Sequence, residues 1–96
     1  MLILVTYDVN ITQAAGAKRL RKVAKLCERY GLRVQNSVFE VLLDGAQYVQ
    51  LKNQLEEVIN PELDSIRFYR LGNSYHQKIE VLGKERLIET GEPLLL

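Results

Sequence analysis

The hydrophobic pattern at the start of the chain is almost continuous. From Leu2 to Val9 most positions are apolar, and they fall on both faces of an extended segment. A strand that is buried on both faces lies in the interior of a sheet. The pattern therefore predicts a central strand over Leu2–Val9, and this strand needs a covering layer on each side.

The next segment has the spacing of an amphipathic helix, predicted over Thr12–Tyr30. Thr12 is the expected N-cap, and Gly31 is expected to be the left-handed residue after the last turn. Apolar residues at three- and four-residue steps form the inward stripe: Leu20, Val23, Ala24, Cys27 and Tyr30. Basic residues at the same steps form another face, here called the basic ridge: Lys18, Lys22, Lys25 and Arg29.

The extended run 32–43 changes the parity of its apolar positions. Val34 is the apolar even position early in the run, whereas Phe39 and Val41 are apolar odd positions later. Alternate residues of a strand point to opposite faces, so one straight strand cannot bury both sets on the same side. We expect a bulge, a sharp bend or a tight hairpin at Asn36–Ser37.

The second half of the chain predicts a helix and two strands. Asp44 and Gln47 form a variant of a capping box that opens the helix, and Asn60–Pro61 ends it. A strand is predicted over Asp64–Leu71 and a short edge strand over Lys78–Leu82. The inward stripe of the helix is Tyr48, Leu51, Leu55 and Val58.

The order of elements, β-α-β-β-α-β with an extra C-terminal strand, matches a ferredoxin-like α+β sandwich over residues 1–82. Its two helices would cover one face of the sheet. A second copy of the chain is the economical cover for the other face, which predicts a face-to-face homodimer. The tail 83–96 ends in three leucines, Leu94–Leu96, and we expect it to pack on the partner subunit.

Charge is segregated along the 96-residue chain, although its net charge is only +1. Residues 10–33 carry seven basic side chains against one acid, and residues 34–64 carry six acids against one lysine. Polyanions respond to such a local basic field. The basic ridge is therefore either a solvated helix face or a surface that binds the phosphate backbone of nucleic acid without reading its bases.

Cysteine content and hydropathy limit where in the cell the protein is expected to occur. A single cysteine, Cys27, excludes an internal disulfide and a cysteine metal cluster. No stretch is long and apolar enough to cross a membrane. A cytoplasmic protein without membrane contact is the simplest expectation.

Asp8 ends the predicted central strand and has two candidate roles. It could accept a hydrogen bond from the following turn, as aspartate often does. It could instead bind a hard cation such as Mg²⁺, which commonly takes one or two carboxylates together with water and phosphate. One carboxylate per chain is few for such a site, but two copies of Asp8 meeting at a two-fold axis would suffice. The cation could then activate water and neutralise charge on a scissile phosphate.

Three other residues have a structural alternative beside the chemical one. Ser37 is either a local hydrogen-bonding residue or a nucleophile, and no histidine lies near it in sequence to activate it. Phe39 is either a core residue or a platform for base stacking. His76 is interpreted as a solvated loop residue that could titrate between about pH 5 and 8.

Three segments in this order resemble the small CRISPR-associated adaptation proteins: LVTYDV, the basic helix KRLRKVAK closed by CERYG, and RVQNSVFE. The resemblance extends over residues 1 to about 82. It implies a ferredoxin-like homodimer in which the C-terminal strand of one chain joins the sheet of the other. It also implies endonuclease activity on RNA or DNA, with Asp8 as ligand of Mg²⁺ or Mn²⁺. The resemblance further implies a partner, the larger CRISPR-associated integrase. In the implied complex the small protein bridges two dimers of the integrase and helps to hold the spacer DNA.

The resemblance also implies which residues act. Family residues linked to activity or nucleic-acid contact fall on six positions: Tyr7, Arg19, Arg21, Arg33, Ser37 and Phe39. The expected nucleic-acid-binding set also includes three lysines of the basic ridge: Lys18, Lys22 and Lys25. Two functions stay open, a nuclease with Asp8 as its catalytic residue and a non-catalytic adaptor that binds DNA backbone between integrase subunits. A small-molecule regulatory domain is a third possibility that rests on fold alone.

Overall fold

A computed structural model of the chain describes residues 1–84. Its elements in this range are β1 (Leu2–Asp8), α1 (Ala14–Cys27), β2 (Gly31–Gln35), β3 (Val38–Leu42), α2 (Gly45–Val58), β4 (Ser65–Gly72) and a single 3₁₀ turn (His76–Lys78). The four strands form one antiparallel sheet in the order β2-β3-β1-β4. The ferredoxin-like α+β prediction is confirmed, and β1 is an interior strand as its continuous hydrophobicity predicts.

The two faces of the sheet have different surroundings. Ile3, Val5 and Tyr7 of β1 point toward the helices and are at most 2% exposed. They belong to a core with these other buried residues: Leu20, Val23, Ala24, Cys27, Phe39, Val41, Leu43, Leu51 and Leu55. On the other face, Leu4 and Thr6 are only half-buried. We call this second side of the sheet the helix-free face.

Cross-strand pairing identifies the other residues of the helix-free face. Thr6 pairs with Val38 on β3 and with Arg67 on β4, and Leu4 lies between Glu40 and Tyr69. Directly opposed residues of an antiparallel pair project to the same side. The face is therefore a mixture of apolar and charged side chains, and no helix among residues 1–84 covers it.

The first helix is shorter than predicted at its N-terminus, and the prediction of Thr12 as N-cap is wrong. The N-cap position is Gln13, whose side chain makes no capping hydrogen bond. The backbone N–H and the hydroxyl of Thr12 both donate to Oδ1 of Asn10, at 3.0 and 2.6 Å. Because Asn10 forms this local turn, the chain enters the helix later than the spacing of apolar residues indicates.

The other end of the first helix is also corrected. Gly31 is not a left-handed residue after the helix, since the only glycines with positive φ among residues 1–84 are Gly72 and Gly83. It is instead the first residue of β2, paired with Val41. A Cβ at this position would overlap the carbonyl oxygen of Glu40 on the neighbouring strand. Gly31 therefore permits a close approach of two backbones.

The parity change in the run 32–43 comes from a tight hairpin, one of the three predicted possibilities. Gln35 pairs with Val38, so only Asn36 and Ser37 connect β2 to β3. Nε of Arg33 donates to the carbonyl of Asn36 at 2.7 Å across this turn. The register also shifts between Arg33 and Gln35, which places a bulge directly before the turn.

The second helix agrees with its sequence signals. Oδ1 of Asp44 accepts from the backbone of Gln47 at 2.7 Å, and Oε1 of Gln47 accepts from the backbone of Asp44 at 3.0 Å. This reciprocal capping box confirms the predicted start. Leu51 and Leu55 are fully buried, as their position in the apolar stripe predicts.

The predicted edge strand over Lys78–Leu82 does not form within the described chain. Lys78 ends the 3₁₀ turn, its Nζ donates to the carbonyl of Leu71 at 3.0 Å, and no strand follows up to residue 84. Within residues 1–84 the segment pairs with neither open edge of the sheet, the outer side of β2 or that of β4. Val81 and Leu82 are exposed. The prediction for the tail, including Leu94–Leu96, concerns residues beyond the described range 1–84.

We expect Gly31→Ala to lower the free energy of unfolding by about 2 kcal/mol, because the new methyl group pushes against backbone. Gly45→Ala is the matched control, since a Cβ there has no neighbour within 4 Å. It should leave stability unchanged or raise it by up to about 1 kcal/mol. Urea unfolding followed by circular dichroism at one fixed protein concentration measures both, and equal stabilities for the two variants would contradict the close-approach role of Gly31.

Candidate metal and nucleic-acid site

Asp8 is the last residue of β1 and is exposed on the helix-free face, opposite Ser65 of β4. It lies in an open depression of about 350 Å³ at the end of the sheet. Polar side chains that share this depression are Thr6, Ser37, Ser65, Arg67 and Tyr69. Asp8 is the only carboxylate among the lining residues.

The carboxylate of Asp8 makes no hydrogen bond or ion pair with any residue from 1 to 84. The turn that follows the strand is held instead by Asn10, which accepts from Thr12. The interpretation of Asp8 as the residue that closes this turn therefore loses its support. What remains is an exposed, unpaired carboxylate beside hydroxyl groups.

The hairpin turn between β2 and β3 is attached to the same strand end. The backbone N–H of Tyr7 donates to the carbonyl of Ser37 at 2.9 Å. This bond holds Ser37 beside Asp8, although 28 residues separate them in sequence. Sequence spacing alone could not place these two residues together, since their proximity depends on how β3 pairs with β1.

Behind the depression, on the helix side of the sheet, lies a buried carboxylate that the sequence analysis missed. The side chain of Asp64 has no exposed surface. Arg19 donates to it twice, from Nε to Oδ2 at 2.8 Å and from Nη2 to Oδ1 at 3.0 Å. The backbone of Asn60 donates to Oδ2 at 3.0 Å, and the hydroxyl of Tyr7 also donates to Oδ2. We call this group of residues the Asp64 network.

The protonation states in the Asp64 network follow from burial and these bonds. Burial alone would raise the pKa of Asp64, but donors from Arg19, Tyr7 and Asn60 together lower it below its ordinary value. Burial and the bond to Asp64 raise the pKa of Tyr7 to about 12. The bond to Asp64 raises the pKa of Arg19. Asp64 is therefore an anion and Tyr7 a neutral donor across the physiological range.

The Asp64 network joins helix α1 to the ends of two strands. Tyr7 directly precedes Asp8, and Asp64 directly precedes Ser65, so the network lies one residue from the depression on each strand. The Tyr7 side chain is only 2% exposed and Arg19 is engaged with Asp64. Tyr7 and Arg19 were both predicted to contact nucleic acid. The structure places them below the depression, where they hold the strand ends in position.

Lys18, Lys22 and Lys25 of the basic ridge are exposed on α1, as their spacing predicts, and Arg21 is exposed on the same helix. Arg29, the fourth residue of the ridge, is exposed in the turn after Cys27. Within residues 1–84 none of these basic side chains forms an ion pair. A groove of about 550 Å³ beside the helix is lined by Ala24, Glu28 and four cations: Arg21, Lys25, Arg29 and Arg33. The ridge lies in the helix layer, across the sheet from Asp8.

Phe39 and Arg33 have structural contacts in the folded chain. Phe39 is fully buried in the core, so its ring offers no accessible platform for a base. The guanidinium of Arg33 lies 5.8 Å from the centre of that ring and also donates to Asn36. His76 is exposed in the 3₁₀ turn and stacks on Tyr75 with ring centres 4.5 Å apart.

Ser65, Arg67 and Tyr69 of β4 line the depression and were missed by sequence reasoning, as was Thr6 of β1. Their signal was present as alternation along β4, where Ser65, Arg67 and Tyr69 are exposed while Ile66 and Phe68 are half-buried. That pattern indicates a strand with one polar face. Only the pairing of β4 with β1 places this face beside Asp8.

The donor set of the depression fits a hydrated hard cation held by few protein ligands. A carboxylate oxygen with neighbouring hydroxyls suits Mg²⁺ or Mn²⁺, which keep several waters when phosphate is also a ligand. Among residues 1–84 no three His, Cys, Asp or Glu side chains come together as a metal site. Among the lining residues, Asp8 alone offers an anionic ligand for such a cation.

Fold and site together define a small ferredoxin-like α+β domain with an exposed carboxylate at the end of an interior strand and a basic helix across the sheet. The model of the family described as CRISPR associated protein Cas2 matches residues 1–79. The chain belongs to this Cas2 family.

Individual relatives agree over nearly the full length. The chain is 52% identical to a CRISPR-associated endonuclease Cas2 of Halalkalibacterium halodurans, over 99% of each chain. It is 50% identical to a CRISPR-associated endoribonuclease Cas2 of Rhodospirillum rubrum, over 99% of this chain and 100% of that one. The crystal structure of Streptococcus pyogenes Cas2 superimposes with a TM-score of 0.80 and 54% identity, covering 86% of this chain and all of the other.

No helix between residues 1 and 84 is long and apolar enough to cross a membrane.

We expect Asp64→Asn to destabilise the protein by about 2 kcal/mol, roughly 10 °C in Tm, because the neutral amide cannot accept all four donors. The lowered pKa of Asp64 fixes the sign of the pH dependence. Its contribution is complete above the carboxyl's ordinary pKa of 3.8 and is lost as the pH falls toward the lower pKa of the folded state. The difference between wild type and variant should therefore shrink in acid.

Thermal unfolding at neutral pH and below pH 4 provides the measurement, with Asp44→Asn as a control that removes the charge of an exposed carboxylate while the amide oxygen can still cap the helix. A Tm of Asp64→Asn equal to that of wild type at neutral pH would contradict the structural role of the Asp64 network.

Proposed function

We propose that the chain is a divalent-metal-dependent endonuclease of CRISPR adaptation that acts as a homodimer and hydrolyses phosphodiester bonds of RNA or DNA. The observation that carries the proposal is the exposed Asp8 carboxylate, which has no partner among residues 1–84 and lies in a polar depression. The relatives named endonuclease and endoribonuclease support the reaction. The free thiol of Cys27 fits a cytoplasmic location, which is part of the same proposal.

The helix-free face supports the homodimer. Leu4, Val38 and Leu42 are half-buried there, and burial already raises the pKa of Glu40 in the single chain. A second copy would cover these apolar side chains. Its sheet edge could also pair with segment 79–82, which forms no strand within residues 1–84.

The residues of the depression and those of the Asp64 network have separate roles in the proposed reaction. Asp8 from both subunits would hold the cation through carboxylate oxygens. A cation in such a site stabilises charge on the phosphoryl oxygens and makes bound water more acidic. The hydroxyls of Ser37 and Ser65 can donate to non-bridging phosphate oxygens, and the Asp64 network keeps the strand ends in place.

We expect Asp8→Asn to reduce cleavage at least about 100-fold, because the variant loses the anionic ligand while its size and shape hardly change. Sedimentation should show an unchanged dimer. Glu57→Gln is the matched control, since it removes an exposed carboxylate from α2, away from the depression. Cleavage of RNA, single-stranded DNA and duplex should be assayed with Mg²⁺, Mn²⁺ and EDTA. Full activity of Asp8→Asn with a divalent cation would refute the proposed active site.

A second role is favoured by the basic ridge. As a dimeric adaptor, the protein would bind DNA backbone through α1 of each subunit and bridge dimers of the larger CRISPR-associated integrase. The exposed cations of α1 have no ion-pair partners among residues 1–84, which leaves them available for phosphates. This role does not depend on Asp8, and both roles can occur in one protein.

The adaptor role predicts the effect of reversing charge on α1. The triple variant Lys18→Glu, Arg21→Glu and Lys25→Glu should weaken duplex DNA binding by about 100-fold at low salt and flatten its dependence on salt. The control Lys52→Glu changes an exposed lysine on α2 and should have a minor effect. Fluorescence anisotropy across a salt series measures this, and unchanged binding by the triple variant would exclude the ridge as the DNA surface.

A further inference from the structure

Arg67 lies on the helix-free face in the same depression as Asp8. Asp8 is paired with Ser65, and Thr6 is paired with Arg67. Arg67 is therefore the diagonal cross-strand neighbour of Asp8. Such neighbours are separated by roughly 7–8 Å between Cα atoms, within reach of a long side chain. An arginine placed here would be expected to form an ion pair with the aspartate.

That ion pair is absent. Arg67 forms no ion pair with any residue from 1 to 84. Its Nη1 donates instead to the hydroxyl of Tyr69 at 3.4 Å, and this bond raises the pKa of Arg67. Tyr69 lies two residues farther from Asp8 along β4. The guanidinium is thus directed toward Tyr69, and no basic side chain among residues 1–84 forms an ion pair with Asp8.

We propose that Arg67 is a phosphate-binding residue of this depression and that it takes a backbone phosphate of the nucleic acid whose chain passes Asp8. The inference rests on the proposed nuclease function and names a substrate contact within it. A guanidinium is charged at every working pH and presents five donors in a planar fork that matches phosphate oxygens. The long bond to Tyr69 uses only one of these donors.

The proposed Arg67–phosphate contact lies on the opposite side of the sheet from the basic ridge. The ridge lies in the helix layer, whereas Arg67 and Asp8 share the helix-free face. Among the residues that line the depression, Arg67 carries the only positive charge. The depression therefore has a cationic group of its own opposite the carboxylate, and an unpaired anion and cation across an open space suit a ligand with both metal-binding and anionic oxygens.

Binding without metal isolates the contribution of Arg67. The probes are single-stranded RNA and DNA oligonucleotides in EDTA, measured by fluorescence anisotropy across a salt series. Arg67→Gln should weaken binding about tenfold and lower the slope of log K against log salt by about 0.7, the value for one lost contact to a single strand. Arg67→Lys should recover part of the affinity, because it keeps the charge and loses the fork.

Arg70→Gln is the matched control, since Arg70 is an exposed arginine of the same strand but does not line the depression. It should bind like wild type. In the cleavage assay with metal, Arg67→Gln should raise KM by the same factor of about ten and change kcat less. Sedimentation should show the same oligomeric state for Arg67→Gln and wild type.

Two results would overturn the inference. The first is equal affinity and equal salt slope for Arg67→Gln and wild type. The second is loss of the oligomer in Arg67→Gln but not in Arg70→Gln, which would make Arg67 an interface residue. Failure of the proposed function has a different signature. Full cleavage by Asp8→Asn would remove the catalytic assignment, while the metal-free affinities would still decide whether Arg67 binds phosphate.

Discussion

The buried carboxylate of Asp64 is the constraint on which the site depends. A carboxylate without solvent contact destabilises a fold unless its oxygens are hydrogen-bonded. Here the donors come from helix α1, from β1 and from the backbone ahead of β4. These three segments can satisfy one anion only in one relative position. The end of β1, where Asp8 lies, is fixed by that requirement.

Strand geometry then separates structural and chemical tasks between adjacent residues. Successive side chains of a strand point to opposite faces, so Tyr7 projects into the Asp64 network while Asp8 projects into the open depression. The same alternation is found where β4 begins, with Asp64 inside and Ser65 outside. The buried Asp64 network and the exposed carboxylate are therefore one residue apart, so Asp8 is well placed although its side chain has no partner among residues 1–84.

Local patterns were sufficient to predict much of the fold from sequence. Continuous hydrophobicity identified β1 as interior, the Asp44–Gln47 capping box located the start of α2, and the parity change identified the β2–β3 turn. Contacts between distant segments were not predictable in this way. Gly31 is required by the carbonyl of Glu40 on another strand, and the strand predicted over Lys78–Leu82 does not form within residues 1–84 although the outer sides of β2 and β4 are open. For the candidate site, the exposure of the ridge agrees with its predicted spacing, and the metal-binding role of Asp8 stays a prediction. The inward role of Arg19 was not predictable, because it depends on a carboxylate 45 residues away.

The central claim is that one chain holds half of a metal site and that two chains share one cation. It accounts for a single carboxylate in the depression and for a sheet face that no helix among residues 1–84 covers. The most direct measurement is the stoichiometry of Mn²⁺ binding, followed by the electron paramagnetic resonance signal of free Mn²⁺ during titration. The account predicts one Mn²⁺ for two chains in the wild type and loss of this binding in Asp8→Asn. One Mn²⁺ for each chain, or binding undiminished in Asp8→Asn, would contradict it.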